Sequence, residues 1–189
     1  LDRQFEIQLE NVLSTNRFTQ VLRLDNDYQK LYNSFSTSHK RNIKKGEKNK
    51  LAVKTIQFNK EVEEAIKQFY EKKNLKRRKF LYEYFNLIQK LEEKELVEIR
   101  GVFNIDNQLQ NISIFTKMAL DRISLNSINV DEGSKNGAMF HCLNDFIQEN
   151  ANSNLILDFE GSNIDSIKRR NLGFGAIDQS YTLYSYRKI

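Results

Sequence analysis

The stretch Leu155-Ile-Leu-Asp-Phe-Glu-Gly-Ser162 decides the fold of this chain and marks where a functional site is to be sought. Its apolar start predicts a short buried strand, and Asp158 and Glu160 follow where that strand ends. Acidic and hydroxyl side chains at the carboxyl end of a strand, beside a glycine, are typical of ligand sites in α/β proteins. The same residues also suit a helix-capping turn, in which Ser162 or Asn163 would be the N-cap.

Length and composition limit the classes of protein to which this chain can belong. With 189 residues the chain is long enough to bury a core without a disulfide or a metal. The single cysteine, Cys142, excludes a disulfide framework and is expected in the core, and the two histidines, His39 and His141, make no metal-ligand pattern. No apolar run approaches the roughly 20 residues of a membrane-spanning helix, and no signal peptide is visible, which favours a cytoplasmic location.

The basic residues are bunched rather than spread. The net charge is +5, and twelve of the 30 Lys and Arg residues fall in two clusters: Lys40, Arg41, Lys44, Lys45, Lys48 and Lys50, then Lys72, Lys73, Lys76, Arg77, Arg78 and Lys79. Such bunching favours an anionic partner, that is, a phosphate, a nucleic acid or an anionic surface. Solvated lysine-rich helix faces explain the same pattern.

Periodicity gives the order of elements. It predicts a strand at 19–24, a helix capped by Asp25 or Asn26, a basic helix to about 49, a strand at 51–57, two helices, strands at 96–104, 109–118 and 122–130, a helix after Gly137, a strand at 155–159, a helix near 163–172 and a strand near 180–187. An antiparallel meander followed by a crossover helix and another strand predicts an α/β (mixed α+β) fold. Its mostly antiparallel sheet is flanked by helices, and the strands at about 122–130 and 155–159 are parallel neighbours.

One strand carries a slip in phase. In the strand at 122–130, Ile123 and Leu125 follow the two-residue alternation of a strand. Ile128 and Val130 are shifted by one residue, so regular alternation would place them on the opposite face. A β-bulge near Asn126-Ser127 explains the slip, and so does a strand that is buried on both faces. In the second of the two helices before the meander, Tyr84 falls on the apolar face and is predicted to be a core residue.

The element order resembles the GNAT acyltransferase fold, and three motifs resemble those of FemAB-like, two-domain GNAT proteins. They are the basic helix Ser36-Thr-Ser-His-Lys-Arg-Asn-Ile-Lys-Lys-Gly-Glu-Lys48, the crossover start Gly137-Ala-Met-Phe-His-Cys-Leu143, and Asp158-Phe-Glu-Gly-Ser162 with Phe174-Gly-Ala176 and Tyr181. The resemblance implies that 51–189 is a GNAT-like acyltransferase domain. It also implies that 1–50 is the end of, or the linker from, a missing N-terminal GNAT-like half, in keeping with a first residue that is not Met.

The resemblance also implies a donor site. In GNAT enzymes an acyl-CoA lies where the two parallel strands splay apart, beside a bulge that matches Asn126, Ser127 and Ile128. The pyrophosphate lies on a turn that matches Ser134, Lys135, Asn136, Gly137 and Ala138, although only Gly137 fits the usual Q/R-x-x-G-x-G/A pattern. FemAB-like proteins take aminoacyl groups from aminoacyl-tRNA and depart from that pattern too. Arg169 and Arg170 could pair with a 3′-phosphate or an RNA backbone, or stabilise a helix C-terminus.

The remaining residues implied by the resemblance are catalytic or contact the acceptor. Glu160 would take a proton from an amine acceptor, Tyr181 would donate one to the leaving group, and Ser162 would position acceptor or water. Alternatively, Glu160 makes a structural hydrogen bond and Tyr181 is an ordinary sheet residue. Lys76, Arg77 and Arg78 would border the acceptor site and, with Lys40 and Arg41, contact the acceptor or a polyanion.

The function implied is N-acyl transfer from acetyl-CoA or another acyl-CoA to a small-molecule or peptide amine, with no metal. The alternatives are aminoacyl transfer from tRNA, and a non-catalytic module that binds RNA or another polyanion.

Overall fold

Helices and strands alternate along the chain much as the periodicity predicts. The structure is a computed structural model that describes residues 12–73, 78–130, 132–161 and 164–186, with the backbone only for 78 and 79. Its elements are β1 (Val12–Arg23), α1 (Tyr28–Ser34), α2 (Thr37–Lys48), β2 (Ala52–Ile56), α3 (Lys60–Lys72), α4 (Arg78–Glu93), β3 (Val97–Phe103), β4 (Leu109–Thr116), β5 (Asp121–Asn129), α5 (Gly133–Asn136), α6 (Ala138–Glu149), β6 (Ile156–Asp158), α7 (Asp165–Leu172) and β7 (Ile177–Tyr186). No helix in these described ranges is long and apolar enough to cross a membrane.

The strands form one mixed sheet. Its order is β2-β3-β4-β5-β6-β1-β7. Every neighbouring pair is antiparallel except β5 and β6, which run parallel, so the predicted fold class and the predicted parallel pair are confirmed.

The parallel pair is short. Only Asp121–Ile123 of β5 pair with β6, opposite Ile156–Asp158. From Ser124 onward β5 has left β6, which exposes the edge of β5 at the centre of the sheet. This is the splay that the resemblance implied.

The phase slip in β5 is a bulge. Ile114 of β4 is opposite Asn126, but Phe115 is opposite Ser124, which leaves Leu125 as the extra residue. The bulge therefore lies one residue before the predicted Asn126-Ser127 step. A bulge bends its strand and increases the local twist, so it helps to turn β5 away from β6.

The two faces of the sheet carry separate apolar clusters. Ile112 and Ile114 of β4 pack with α3 and α4, whereas Phe115 faces the other way and packs with α6. The ring of Phe115 stacks on that of Phe146 with 4.0 Å between centroids. Alternation along a strand buried on both faces thus produces a three-layer α/β/α arrangement. Cys142 is fully buried, as predicted.

Capping residues set the starts of the first helices. Asn59 Oδ1 accepts a hydrogen bond from the Val62 N–H at 3.0 Å and begins α3. For α1 the predicted caps, Asp25 and Asn26, are wrong, because Asp27 Oδ1 accepts from the Lys30 N–H at 2.9 Å. A side-chain cap must reach the N–H groups of the first turn, and only the residue directly before that turn does so.

The segment 12–50 shares this sheet and this core. β1 lies between β6 and β7, pairing with β7 over Val12–Val21 and with β6 over Val21–Arg23. The cluster around α6 also includes Leu31 of α1, Ile43 of α2 and Phe35 between these two helices. That 1–50 is the end of an N-terminal half, or a linker from one, stays a prediction.

Candidate functional site

A cleft lies along the part of β5 that has left β6. Its volume is about 470 Å³. Residues of α3, β5, α5, α6 and α7 line it: Ala65, Gln68, Phe69, Lys72, Lys73, Ser127, Asn129, Val130, Ser134, Met139 and Arg170. A strand edge that has lost its neighbour presents backbone N–H and C=O groups, which suits it to hold an extended ligand.

The cleft is positively charged. Among the described residues of its lining, the charged ones are Lys72, Lys73 and Arg170, and none is a carboxylate. The Arg170 guanidinium is held in place, since Nε and Nη2 donate to Asn171 Oδ1 at 3.1 and 2.9 Å. Burial lowers the pKa of Arg170 from its ordinary value, yet an arginine remains charged at neutral pH. The lining therefore favours an anionic ligand such as a phosphate.

Some of the predicted donor-binding residues reach the cleft. Ser127, Ser134 and Arg170 are part of its lining. Asn126 follows the bulge directly, and Ile128 is buried in the core behind it. The structure thus brings Ser127, Ser134 and Arg170, from three segments that are distant in sequence, to one cleft.

The other predicted donor-binding residues are engaged elsewhere. Lys135 Nζ lies 2.9 Å from a Glu132 carboxylate oxygen at the surface, and Asn136 Nδ2 donates to Gln110 Oε1 at 3.0 Å. Ala138 is fully buried, and Arg169 is exposed on α7 outside the cleft lining.

Gly137 links α5 to α6 in a left-handed turn. Its φ is +76°, and a Cβ there would lie 2.4 Å from the carbonyl oxygen of Asn42 in α2. The packing of this turn on α2 therefore explains the glycine without any ligand.

Glu160 lies at the end of β6 in a left-handed conformation. Its φ is +61°, and its backbone N–H donates to Asp158 Oδ1 at 2.8 Å. Asp158 thus caps the turn, while no described residue hydrogen-bonds the Glu160 carboxylate. Partial burial, and then the neighbouring Asp158 carboxylate, raise the pKa of Glu160 above its ordinary value. The residue still has an exposed surface, so its carboxylate is placed to take up a proton from a ligand.

Tyr84 has an unusual hydroxyl that the sequence did not identify. Its hydroxyl oxygen is buried and has no hydrogen-bond partner of normal geometry among the described residues. Burial is the main factor that raises its pKa; Asn126 lowers it, and the Tyr70 hydroxyl and the Glu160 carboxylate raise it further. Asn126 directly follows the bulge, so the hydroxyl lies near the bulge and within electrostatic range of Glu160. Helical spacing placed Tyr84 correctly on the apolar face of α4, but spacing does not show which groups of other elements surround its hydroxyl.

The remaining predicted site residues are dispersed. Tyr181 lies on β7 opposite Arg17, is 44% exposed, and is separated from β6 by β1. Lys40 Nζ donates to the Asn33 carbonyl oxygen at 2.9 Å, and Arg41 is exposed on α2; neither lines the cleft. Ser162, Lys76 and Arg77 lie outside the described residues, and Arg78 begins α4 with its side chain undescribed.

Comparison with known proteins identifies the fold. No family model matches the chain, and no curated protein does either. Among solved structures, FemX matches with a TM-score of 0.66 at 11% identity, over 88% of this chain and 61% of FemX. A conserved protein of unknown function from Bacteroides thetaiotaomicron matches with a TM-score of 0.68 at 11% identity, over 94% of this chain and 63% of that protein.

A third match is the C-terminal domain of a putative lysylphosphatidylglycerol synthetase from Agrobacterium fabrum. Its TM-score is 0.57 at 8% identity, over 92% of this chain and 61% of that domain. The chain therefore spans about three fifths of the length of these structures. The chain therefore has the fold of these structures, FemX among them, in agreement with the fold that the resemblance implied; at these identities the likeness concerns the fold alone.

Proposed function

We propose that this chain carries the acyl-transfer site of an N-acyltransferase. The observation that carries the proposal is the splay of β5 from β6 at the Leu125 bulge, with a cationic cleft on β5 and Glu160 at the end of β6. A free strand edge can hold the donor, the cations suit phosphates, and the carboxylate suits an amine acceptor.

The chemistry needs one proton to move. The nitrogen of a primary amine attacks the acyl carbon and forms a C–N bond, and Glu160 takes the proton that the nitrogen loses. The bond between the acyl carbon and the sulfur or oxygen of the donor breaks, and the proton passes from Glu160 to that leaving group. A raised pKa suits Glu160 to both steps, because a group that titrates nearer to neutral pH accepts and returns a proton more readily.

The donor has a leaving group that carries phosphates, which acyl-CoA and aminoacyl-tRNA share. Lys72, Lys73 and Arg170 support either one. The likeness to FemX and to a lysylphosphatidylglycerol synthetase, whose name describes an aminoacylated product, favours the aminoacyl donor. Gly137 is the one residue that fits the acyl-CoA pattern, and its packing against Asn42 explains it without a ligand. This also favours the aminoacyl donor.

The test compares donors on the intact chain. Thermal midpoints are measured with acetyl-CoA, a longer acyl-CoA, free CoA and a charged tRNA pool, and transfer of a radiolabelled acyl group to a mixture of primary amines is then followed. A donor present at about 100 times its Kd adds about 2.7 kcal/mol to stability and raises the midpoint. A shift and transfer with CoA compounds identify an acyl-CoA donor, and a shift and transfer with charged tRNA identify an aminoacyl donor. If no donor gives transfer, the proposal is wrong.

The role of Glu160 is tested in the same assay. Glu160→Gln should bind the donor as the wild type does and transfer about 100-fold more slowly. Glu93→Gln, at the exposed end of α4, is the matched control and should leave the rate unchanged.

A second function, binding of a polyanion, is supported by α2. Arg41, Lys44, Lys45 and Lys48 are exposed on this helix, and no carboxylate in the described part of the chain pairs with them. RNA affinity should then fall with salt by about one log-log unit per phosphate contact. It should drop in a Lys44→Gln/Lys45→Gln/Lys48→Gln variant and stay the same in Glu160→Gln. Affinity that survives the triple substitution would contradict this function.

A further inference from the structure

An aromatic row leads from the surface to the reaction site. The rings of Tyr70 and Phe80 are 6.4 Å apart, and Phe80 stacks on Tyr84 with 6.0 Å between centroids and 15° between planes. Phe80 is 43% exposed, while the hydroxyl oxygen of Tyr84 is buried. The row fixes the Tyr84 ring, so its hydroxyl has a defined position.

That position is the inner end of the splay. Tyr84 packs against the same apolar cluster as Leu125, the extra residue of the bulge. Burial is the main cause that raises the pKa of its hydroxyl; the Asn126 side chain, directly after the bulge, lowers that pKa, and the Glu160 carboxylate is among the groups that raise it. Side chains of β5 and of the turn after β6 thus lie within electrostatic range of one hydroxyl on α4.

Among the described residues the hydroxyl has no hydrogen-bond partner of normal geometry, although the Asn126 side chain lies close enough to lower its pKa. Buried polar groups in folded proteins are almost always hydrogen-bonded, and one left without a partner costs free energy. Phenylalanine would give the same ring packing without that cost. The Tyr84 hydroxyl therefore needs an explanation, and one is that its hydrogen-bond partner is present only when substrate is bound.

We propose that the Tyr84 hydroxyl donates a hydrogen bond to the carbonyl oxygen of the acyl group as the amine attacks it. The inference rests on the proposed function and adds a catalytic residue to it. Negative charge develops on this oxygen when the C–N bond forms, and a fixed donor that meets it lowers the barrier. The hydroxyl keeps its proton, since the proton of the amine goes to Glu160 and from there to the leaving group. Burial, which raises the pKa of Tyr84, keeps the phenol in the donating form.

The test is Tyr84→Phe, with Tyr82→Phe as the matched control. Tyr82 lies on the same helix and is 69% exposed. With the best donor found for the wild type, Tyr84→Phe should lower kcat about 100-fold, as removal of an oxyanion donor does. KM for the donor should stay within about threefold, and the urea midpoint should stay the same or rise. Tyr82→Phe should match the wild type in all three measurements.

The outcomes separate this inference from the function on which it rests. If the wild type transfers and Glu160→Gln does not, but Tyr84→Phe retains the wild-type kcat, the role of Tyr84 is wrong and the proposed function stands. If Tyr84→Phe lowers the urea midpoint and its kcat recovers at lower temperature, the hydroxyl is structural and the inference is wrong. If the wild type transfers from no donor, both are wrong.

Discussion

The backbone N–H of Glu160 donates to Asp158 Oδ1 at 2.8 Å, and the same oxygen accepts a hydrogen bond from the Thr19 hydroxyl. Thr19 is on β1, which lies next to β6 in the sheet. The N-terminal strand therefore holds Asp158, and Asp158 holds Glu160 in its left-handed conformation. Thr19 and Asp158 are 139 positions apart in sequence, and they meet in one turn because β1 is inserted between β6 and β7.

Asp158→Ala should impair transfer by removing this support. Two hydrogen bonds are lost, so the free energy of unfolding should fall by about 1–2 kcal/mol, and the transfer rate should fall about 10-fold as Glu160 loses its fixed position. Asp158→Asn keeps an acceptor oxygen and should retain most of the rate. Urea denaturation and initial rates check both variants, and equal rates in Ala and Asn would contradict the positioning role.

The pH dependence of transfer should report the raised pKa of Glu160. The rate should rise as the carboxylate forms, with a midpoint above the ordinary value of about 4.3. Asp158→Asn removes the neighbouring negative charge, so its midpoint should lie at lower pH than that of the wild type. Rates measured from pH 4 to 8 test this, and Glu93→Gln should keep the wild-type profile. A midpoint that does not move in Asp158→Asn would be inconsistent with coupling of the two carboxyl groups.

The same pKa has a consequence for stability. Because the folded state holds the Glu160 proton more tightly than the unfolded state does, this group favours folding at low pH, and that contribution is lost as the pH rises through the raised pKa. Glu160→Gln cannot ionise and should therefore be at least as stable as the wild type at pH 7. Urea denaturation at pH 7 measures it, and a lower unfolding free energy in Glu160→Gln would show that the carboxylate has a structural role.

The sheet could be predicted from the sequence largely because β-strands are local patterns. The slip between Leu125 and Ile128 was visible without coordinates, since a bulge shifts every later side chain to the other face. The place of β1 in the sheet could not be predicted from such patterns, because alternation shows that a strand exists and does not name its partners.

The site was harder to predict than the fold for the same reason. Glu160 follows its strand directly, so local sequence located it. The hydroxyl of Tyr84 depends on how α4 packs over β5, and the distance of Tyr181 from β6 depends on the insertion of β1. Both are contacts between remote segments, which the spacing of apolar residues leaves undetermined.

Gly137→Ala should destabilise the fold whether or not a donor binds nearby. A Cβ would lie 2.4 Å from the Asn42 carbonyl oxygen, and φ is +76°. We expect the free energy of unfolding to fall by about 2 kcal/mol or more. Urea denaturation without ligand measures it. An unchanged unfolding free energy together with weaker donor binding would instead assign Gly137 to the ligand.

Arg100 should be the most costly charge to remove from the interior. It is 4% exposed on β3, donates to Asp145 Oδ2 at 2.7 Å and to Glu98 and Glu149, and lies 4.9 Å from the centre of the Phe146 ring. Arg100→Met should lower the free energy of unfolding by about 3 kcal/mol, because the partners lose their cation in a partly buried site. Glu149→Gln should cost less than about 1 kcal/mol, since that side chain is 66% exposed. Equal losses in the two variants would contradict this ranking.

His39 should make the protein sensitive to mild acid. Its Nδ1 lies 2.8 Å from Ser36 Oγ and its Nε2 lies 2.8 Å from the Arg170 carbonyl oxygen. Burial is the main cause that lowers the pKa of His39, and the Arg170 charge adds to it. The unfolded state therefore takes up a proton first as the pH falls below about 6.5, so stability present above that pH is lost below it. Unfolding free energies at pH 7 and 5.5 should differ more in the wild type than in His39→Gln, whose amide cannot titrate. An equal difference in the two proteins would mean that His39 is not the group responsible.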